Sequence, residues 1–261
     1  MADRVKIVAT YKRWAEPDSL IDDLRANLAP WVDDFVELRN PTTGPWPHEG
    51  QALERQRQLV RRAHGSVWVL FVDPDERIED QAVNVVREAI ARAARHGAGQ
   101  QTQFQFPLRE MWTPTQWRID GDWGNKKPRT RLYHLHPGQR FRDKPIHCGV
   151  VPVGPSGNRI TLPLAMYHLK NIEPENRVAR AQAYLDADPR FEHQRREGRD
   201  WSWLHDETGL ELAEIEPGRG FSPAYVPGSY LFTPPGRELA SASSGQLDHE
   251  ERGSGRGRSQ P

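Results

Sequence analysis

The chain has 261 residues, with 36 basic and 36 acidic side chains, nine Trp and one Cys. Zero net charge speaks against a general nucleic-acid binder, which needs a basic field to neutralise phosphates, and a single Cys excludes an intrachain disulfide framework and fits a reducing compartment. With no apolar leader at the N-terminus and no run near the ~20 apolar residues of a membrane span, a cytoplasmic protein without a transmembrane segment is expected.

Taken in chain order, Val5 to Val8 predicts a strand. Pro17-Asp18-Ser19 then offers helix-start chemistry, and Leu20, Ile21, Leu24 and Leu28 follow at helical spacing. Phe35 to Leu38 predicts a second strand, closed by the turn-rich stretch from Asn40 to Pro47. A second helix is expected from about Gly50 to Ala63. Val67 to Val72 is a nearly continuous apolar run, the mark of a strand buried on both faces. A third helix is expected from Asp80 to Arg95, closed near Gly97. This β-α-β-α-β-α order predicts an α/β fold with a mostly parallel central sheet and helices on both faces.

Beyond residue 100, Thr102 to Leu108 alternates as a strand, Arg131 to His136 reads the same way, and Ile146 to Val153 is a shorter strand candidate. A helix is expected from about Pro174 to Ala187. The organisation expected is one domain over residues 1–235, with a nucleotide-binding half over 1–100 and an acceptor half with an irregular extension over 101–235. Residues 236–261, rich in Ser, Gly and Arg, are expected to be disordered.

The central chemical signal is Asp73-Pro74-Asp75-Glu76 at the end of the apolar run. In such sheets ligands bind beyond the carboxyl ends of the strands. Two carboxylates there suit a hard divalent cation that clamps phosphate oxygens; the plain alternative is a turn capped by Asp. The passage resembles the glycosyltransferase family 2 proteins of GT-A type, most of all those of the lipopolysaccharide-core kind. Val5-Lys-Ile-Val-Ala-Thr-Tyr-Lys, Leu28-Ala-Pro-Trp-Val-Asp-Asp-Phe-Val36, Arg55-Gln56 through Ala63, Arg131-Leu-Tyr133 and Ile146-His147 carry the same resemblance in order over roughly the first 150 residues.

The resemblance implies transfer of a sugar from a nucleotide-sugar donor, usually with inversion, to a glycan, lipid-linked or protein acceptor, with Mn²⁺ or Mg²⁺ as cofactor. Asp73 then contacts the donor or the cation and Asp75 the cation. His147 is the candidate third ligand, since imidazole joins carboxylates around Mn²⁺; His168 ranks below it. His134 and His136 share one strand face at a spacing compatible with a metal pair; a polar sheet face is the plainer reading. Arg39 or Asn40 stands where the family carries a base-contacting Asp, and His147-Cys148 lacks the Glu that relatives place after the His. Arg55 and Arg131 are donor-side candidates, the latter because guanidinium suits diphosphate.

For the general base, Asp122 is chosen, with Glu110 second. Both flank Trp112, Trp117 and Trp123, whose flat faces suit a sugar ring; the alternative is ordinary packing. Only six of the 36 basic residues are Lys, and the Arg-rich surface leaves peripheral membrane contact open, although no amphipathic anchor is evident. Two other classes stay open: a haloacid-dehalogenase-like phosphatase with Asp73 as nucleophile, and a non-catalytic carbohydrate-binding relative. Arg77, two residues after Asp75, replaces the Thr or Val of the phosphatase pattern. Phosphate-loop, dinucleotide, zinc-protease and paired Cys motifs are missing.

Overall fold

The computed structural model describes residues 5–14, 16–39, 49–96, 99–124, 126–142, 149–153, 158–189 and 201–231. The turn-rich stretch 40–47 with Asn40, His147, Cys148 and the tail 236–261 lie outside them. The first half follows the alternation read from the sequence: β1 (Ile7–Arg13), α1 (Asp18–Leu28), β2 (Asp34–Arg39), α2 (Glu49–His64), β3 (Trp68–Phe71), β4 (Glu76–Ile78) and α3 (Ala82–Arg95). Then come β5 (Gln103–Phe106), β6 (Leu108–Glu110), β7 (Gln116–Arg118), α4 (Gly121–Gly124), β8 (Arg129–His134), β9 (Arg159–Thr161), β10 (Met166–His168), α5 (Pro174–Ala187) and β11 (Leu212–Glu214).

The central sheet has six strands in the order β2-β1-β3-β8-β5-β9. Three of its five pairings are parallel (β1 with β2, β1 with β3, β5 with β9), and β8 runs antiparallel to both β3 and β5. Alternation along the strands supplies two cores. Ile7, Ala9, Leu70, Val72, Phe104 and Leu132 face Leu24 and Leu28 of α1 and Val86 and Ile90 of α3. Val8, Val69, Phe71 and Tyr133 face Leu53 and Val60 of α2. Both faces of β3 are therefore covered, which explains its unbroken apolar run. Each fully buried Leu or Phe contributes about 1.5–3 kcal/mol of burial.

The strand expected over 102–108 divides at Pro107. Gln103–Phe106 joins the central sheet, and Leu108–Glu110 joins a second sheet ordered β4-β10-β6. Proline lacks the N–H that would continue one ladder. Between the acidic turn and the helix expected from Asp80, residues Glu76–Ile78 form β4, which pairs antiparallel with β10. Of the strand expected over 146–153, residues 149–153 carry one isolated bridge, Arg140 to Val153. No helix among the described residues is long and apolar enough to cross a membrane.

Candidate active site at the carboxyl end of β3

Strand β3 hands the chain to Asp73, Pro74 and Asp75, after which β4 enters the second sheet. Register builds the site there. His168 of β10 stands opposite Glu76 of β4 on one side and opposite Glu110 of β6 on the other. Directly opposed residues share a face, so Glu76, His168 and Glu110 form one row. Arg77, Tyr167 and Arg109 form the next row, on the opposite face. There Arg77 donates to the backbone oxygens of Pro74, Glu76 and Leu20, and so pins the acidic turn.

Charged side chains close around this row. His168 Nε2 lies 3.4 Å from Asp75 Oδ1, and its Nδ1 lies 3.3 Å from Glu110 Oε2. Glu110 also accepts from Lys126 and from Asn171, at 3.3 Å for the latter, and has Lys170 Nζ at 3.6 Å. Arg180 of α5 brings Nη1 within 3.4 Å of Asp75 Oδ2. From β8, Arg131 Nη2 bonds Glu76 and, at 3.1 Å, Asp73. The Asp73 backbone N–H donates to Glu76 Oε2 at 2.9 Å, closing the turn. Asp75, Glu76, Glu110 and His168 are all buried, whereas the Asp73 side chain is 33% exposed.

Four carboxylates thus meet four fixed cations around one imidazole. Buried ions are tolerated only when paired in this way. Burial alone would push Asp75 up, but His168, Arg180 and Lys170 overcome it and hold its carboxyl below the usual range. Glu110 is likewise raised by burial and then driven well below its ordinary value by Lys126, Lys170 and His168. Glu76 goes the other way: burial dominates, and Asp73 adds to it against Arg131. Burial and Lys170 would lower His168, yet Glu110 and Asp75 raise it above 6.5. Lys126 is pushed down to about 8 by burial, with Glu110 opposing.

A carboxylate that already accepts from several donors and is held so far down is a poor proton acceptor near neutrality. Glu110 instead stands as an ion-pair partner of His168, 3.3 Å from Nδ1 and without a hydrogen bond to it. Two donor atoms sharing one ion at about 2.1 Å lie about 3.0–3.4 Å apart, and Asp75 Oδ1 and His168 Nε2 have that separation. That separation is equally that of the imidazole–carboxylate ion pair seen here, so two donors alone do not make a cation site. Among the described residues no group of three or more His, Cys, Asp or Glu side chains forms a fuller set.

The expected site residues divide clearly. Asp73, Asp75, Glu110 and Arg131 are brought together. Arg39 is exposed at the end of β2, paired with Glu37, and Arg55 is exposed on α2. Asn40 and His147 lie outside the described residues. Asp122 is exposed on α4. Trp112 and Trp123 are only 3% and 6% exposed. Arg177 covers the Trp112 ring at 3.8 Å and Lys126 the Trp123 ring at 4.1 Å, so the faces expected to be open to a sugar are occupied. Trp117 is partly exposed, with Arg109 5.0 Å from its ring centre. His168, Glu76, Lys126, Lys170 and Arg180 are the members that sequence reasoning ranked low or passed over.

Comparison with known proteins finds no matching family model and no significantly similar curated protein.

Proposed function

We propose that this protein is a metal-dependent, inverting glycosyltransferase of GT-A type, moving a sugar from a nucleotide-sugar donor to an acceptor hydroxyl on a glycan, lipid-linked or protein substrate in the cytoplasm. The observation that carries this reading is the buried row Glu76–His168–Glu110, set by strand register beside Asp73 and Asp75 at the carboxyl end of β3. It places acidic and cationic groups together where α/β sheets bind ligands.

In this reading Asp75 and His168 hold Mn²⁺ or Mg²⁺, with Asp73 on the exposed side of the turn. The ion would neutralise charge gathering on the departing diphosphate. Arg131 holds Asp73 and Glu76 in place, and Arg180 and Lys170 add positive charge beside the same position. Glu110 places negative charge beside the imidazole. Asp122 is the exposed carboxylate assigned to the acceptor's proton, and Trp117, partly exposed, is the aromatic assigned to the acceptor. Arg39 and Arg55 serve the nucleoside end. Phosphatase chemistry is supported less well, because the Asp73 carboxylate it would use as nucleophile is tied to Arg131.

The test is a thermal-shift panel of UDP, GDP, dTDP and CDP and their sugars, with and without Mn²⁺. A ligand that binds the folded form raises its melting temperature. At least one diphosphate is expected to do so in Mn²⁺ and not in its absence. A flat panel would overturn the reading.

A further inference from the structure

The carboxyl end of β1 carries two donors that lack acceptors. Lys12 follows Val8 and Thr10 on the face covered by α2, where Gln56 donates to Thr10 Oγ1 at 2.6 Å. Thr10 pairs with Phe71, and the Val72 N–H donates to the Thr10 carbonyl at 3.1 Å. Lys12, two residues past Thr10, therefore stands beside Asp73, two residues past Phe71. Lys12 Nζ lies 5.6 Å from the centre of the Phe71 ring, and Arg131 Cζ lies 5.6 Å from the same centre.

The Lys12 side chain is 3% exposed, and the carboxylate it faces, Glu49 Oε1 at the start of α2, is 3.6 Å away. That is outside hydrogen-bond length, and an ammonium carries three donors. Among the described residues no acceptor comes closer to it. Trp14, two residues on, packs with its ring centre 4.9 Å from the same Nζ. The Trp14 Nε1 is buried and also lacks an acceptor among the described residues. Buried polar atoms are normally hydrogen-bonded. A buried ammonium and a buried indole N–H side by side call for a ligand that brings both negative charge and acceptor oxygens. A phosphate brings both; a sugar hydroxyl brings no charge.

The sheet order says which phosphate. β1 lies between β2, whose Arg39 is assigned to the nucleoside end, and β3, which leads to Asp73 and Asp75. The end of β1 thus stands between the nucleoside and the cation.

We propose that Lys12 and Trp14 form an oxyanion site at the carboxyl end of β1, where the ammonium and the indole N–H hold the phosphate next to the nucleoside. The assignment rests on the proposed function and adds to it a phosphate contact made by side chains alone, apart from the cation. Glu49 is the charge that Lys12 faces when no phosphate is bound.

The experiment titrates the full-length protein and its variants by calorimetry, in Mn²⁺, with the nucleoside diphosphate that stabilises the wild type most and with its monophosphate. In Lys12→Met both affinities are expected to fall about tenfold, as for loss of a hydrogen bond to a charged group. Lys12→Arg restores the charge and is expected to restore most of the binding. Trp14→Phe keeps a ring and is expected to weaken both ligands about threefold. Glu49→Gln is expected to bind no more weakly than the wild type, because it removes a charge that competes with phosphate. Wild-type affinity in Lys12→Met overturns the inference. So does a loss in Glu49→Gln equal to that in Lys12→Met, which would make Lys12 only a partner of Glu49, and so does a failure of Lys12→Arg to restore binding. If Lys12→Met does not fold, Trp14→Phe and Glu49→Gln decide: unchanged binding in the first or a tenfold loss in the second overturns the inference. Each of these results leaves the proposed function standing, whereas a wild type that binds no diphosphate overturns both.

Discussion

Glu110 is the place where the charged row can be tested without any ligand. Its side chain is buried, receives Lys126 and Asn171, and faces Lys170 at 3.6 Å and His168 at 3.3 Å. At 3.6 Å one unit pair attracts by about 4–5 kcal/mol at an effective dielectric of ~20, before desolvation is set against it. Glu110→Gln keeps the shape and removes the charge, leaving two half-buried lysines against a neutral amide. Removing one partner of a buried pair costs about 3–5 kcal/mol. In a domain of this size 1 kcal/mol moves the melting temperature by about 2–4 °C, so a fall of about 6–20 °C is expected at pH 7. The sign of the pH dependence follows from the depressed carboxyl. Glu110 contributes its full stability above the unfolded value near 4.5 and loses it as pH falls through the lower folded value. The gap between wild type and Glu110→Gln is therefore expected to hold from pH 7 to 5 and to narrow below pH ~4. Thermal denaturation followed by circular dichroism reads both. A fall of less than about 2 °C at pH 7, below 1 kcal/mol on the same scale, would refute the claim that this carboxylate holds the row together.

Two further outcomes follow from buried groups away from the row. His134 packs edge-on against Trp68, with centroids 5.4 Å apart, and burial followed by the neighbouring His136 lowers it to about 4. Between pH 6.5 and 4 the unfolded chain binds the extra proton, so stability is expected to drop by on the order of 2–3 kcal/mol over that interval. His134→Phe should flatten this slope in urea denaturation at pH 7, 6 and 4.5, and an unchanged slope would contradict it. Arg219→Ala strands the Glu79 carboxylate with the Ala165 backbone N–H, at 2.9 Å, as its remaining donor among the described residues. It is expected to cost about 3–5 kcal/mol and to open 216–230 to limited proteolysis; a wild-type cleavage pattern would argue against that fastening.

Much of the first half was legible because its signals are long. Val67 to Val72 reads as a central strand since side chains on both of its faces enter a core. Asp73 and Asp75 were visible as carboxylates at the end of that run, and Arg131 as a guanidinium on a recognisable strand. His168 was ranked low because β10 spans three residues, too short for alternation to show. Its partners, Asp75 and Glu110, are remote in the chain and meet it only through strand register. Lys126, Lys170 and Arg180 carry no local pattern that separates them from other basic residues. Trp112 and Trp123 misled for a different reason. Closeness in sequence marked a shared aromatic core, with Trp112 and Trp123 centroids 5.9 Å apart, and said nothing of exposure. The break at Pro107 was readable in principle, since a proline inside a strand pattern demotes it.

In the proposed function, Asp75 and His168 serve a divalent cation and a nucleoside diphosphate together. The most direct measurement is calorimetric titration of the best-stabilising nucleoside diphosphate into wild type and Asp75→Ala, each with Mn²⁺ and with a chelator. Binding is expected in the wild type with Mn²⁺ alone, and absent with chelator and in Asp75→Ala under either condition. Equal binding with and without the ion, or binding retained by Asp75→Ala, would contradict the account.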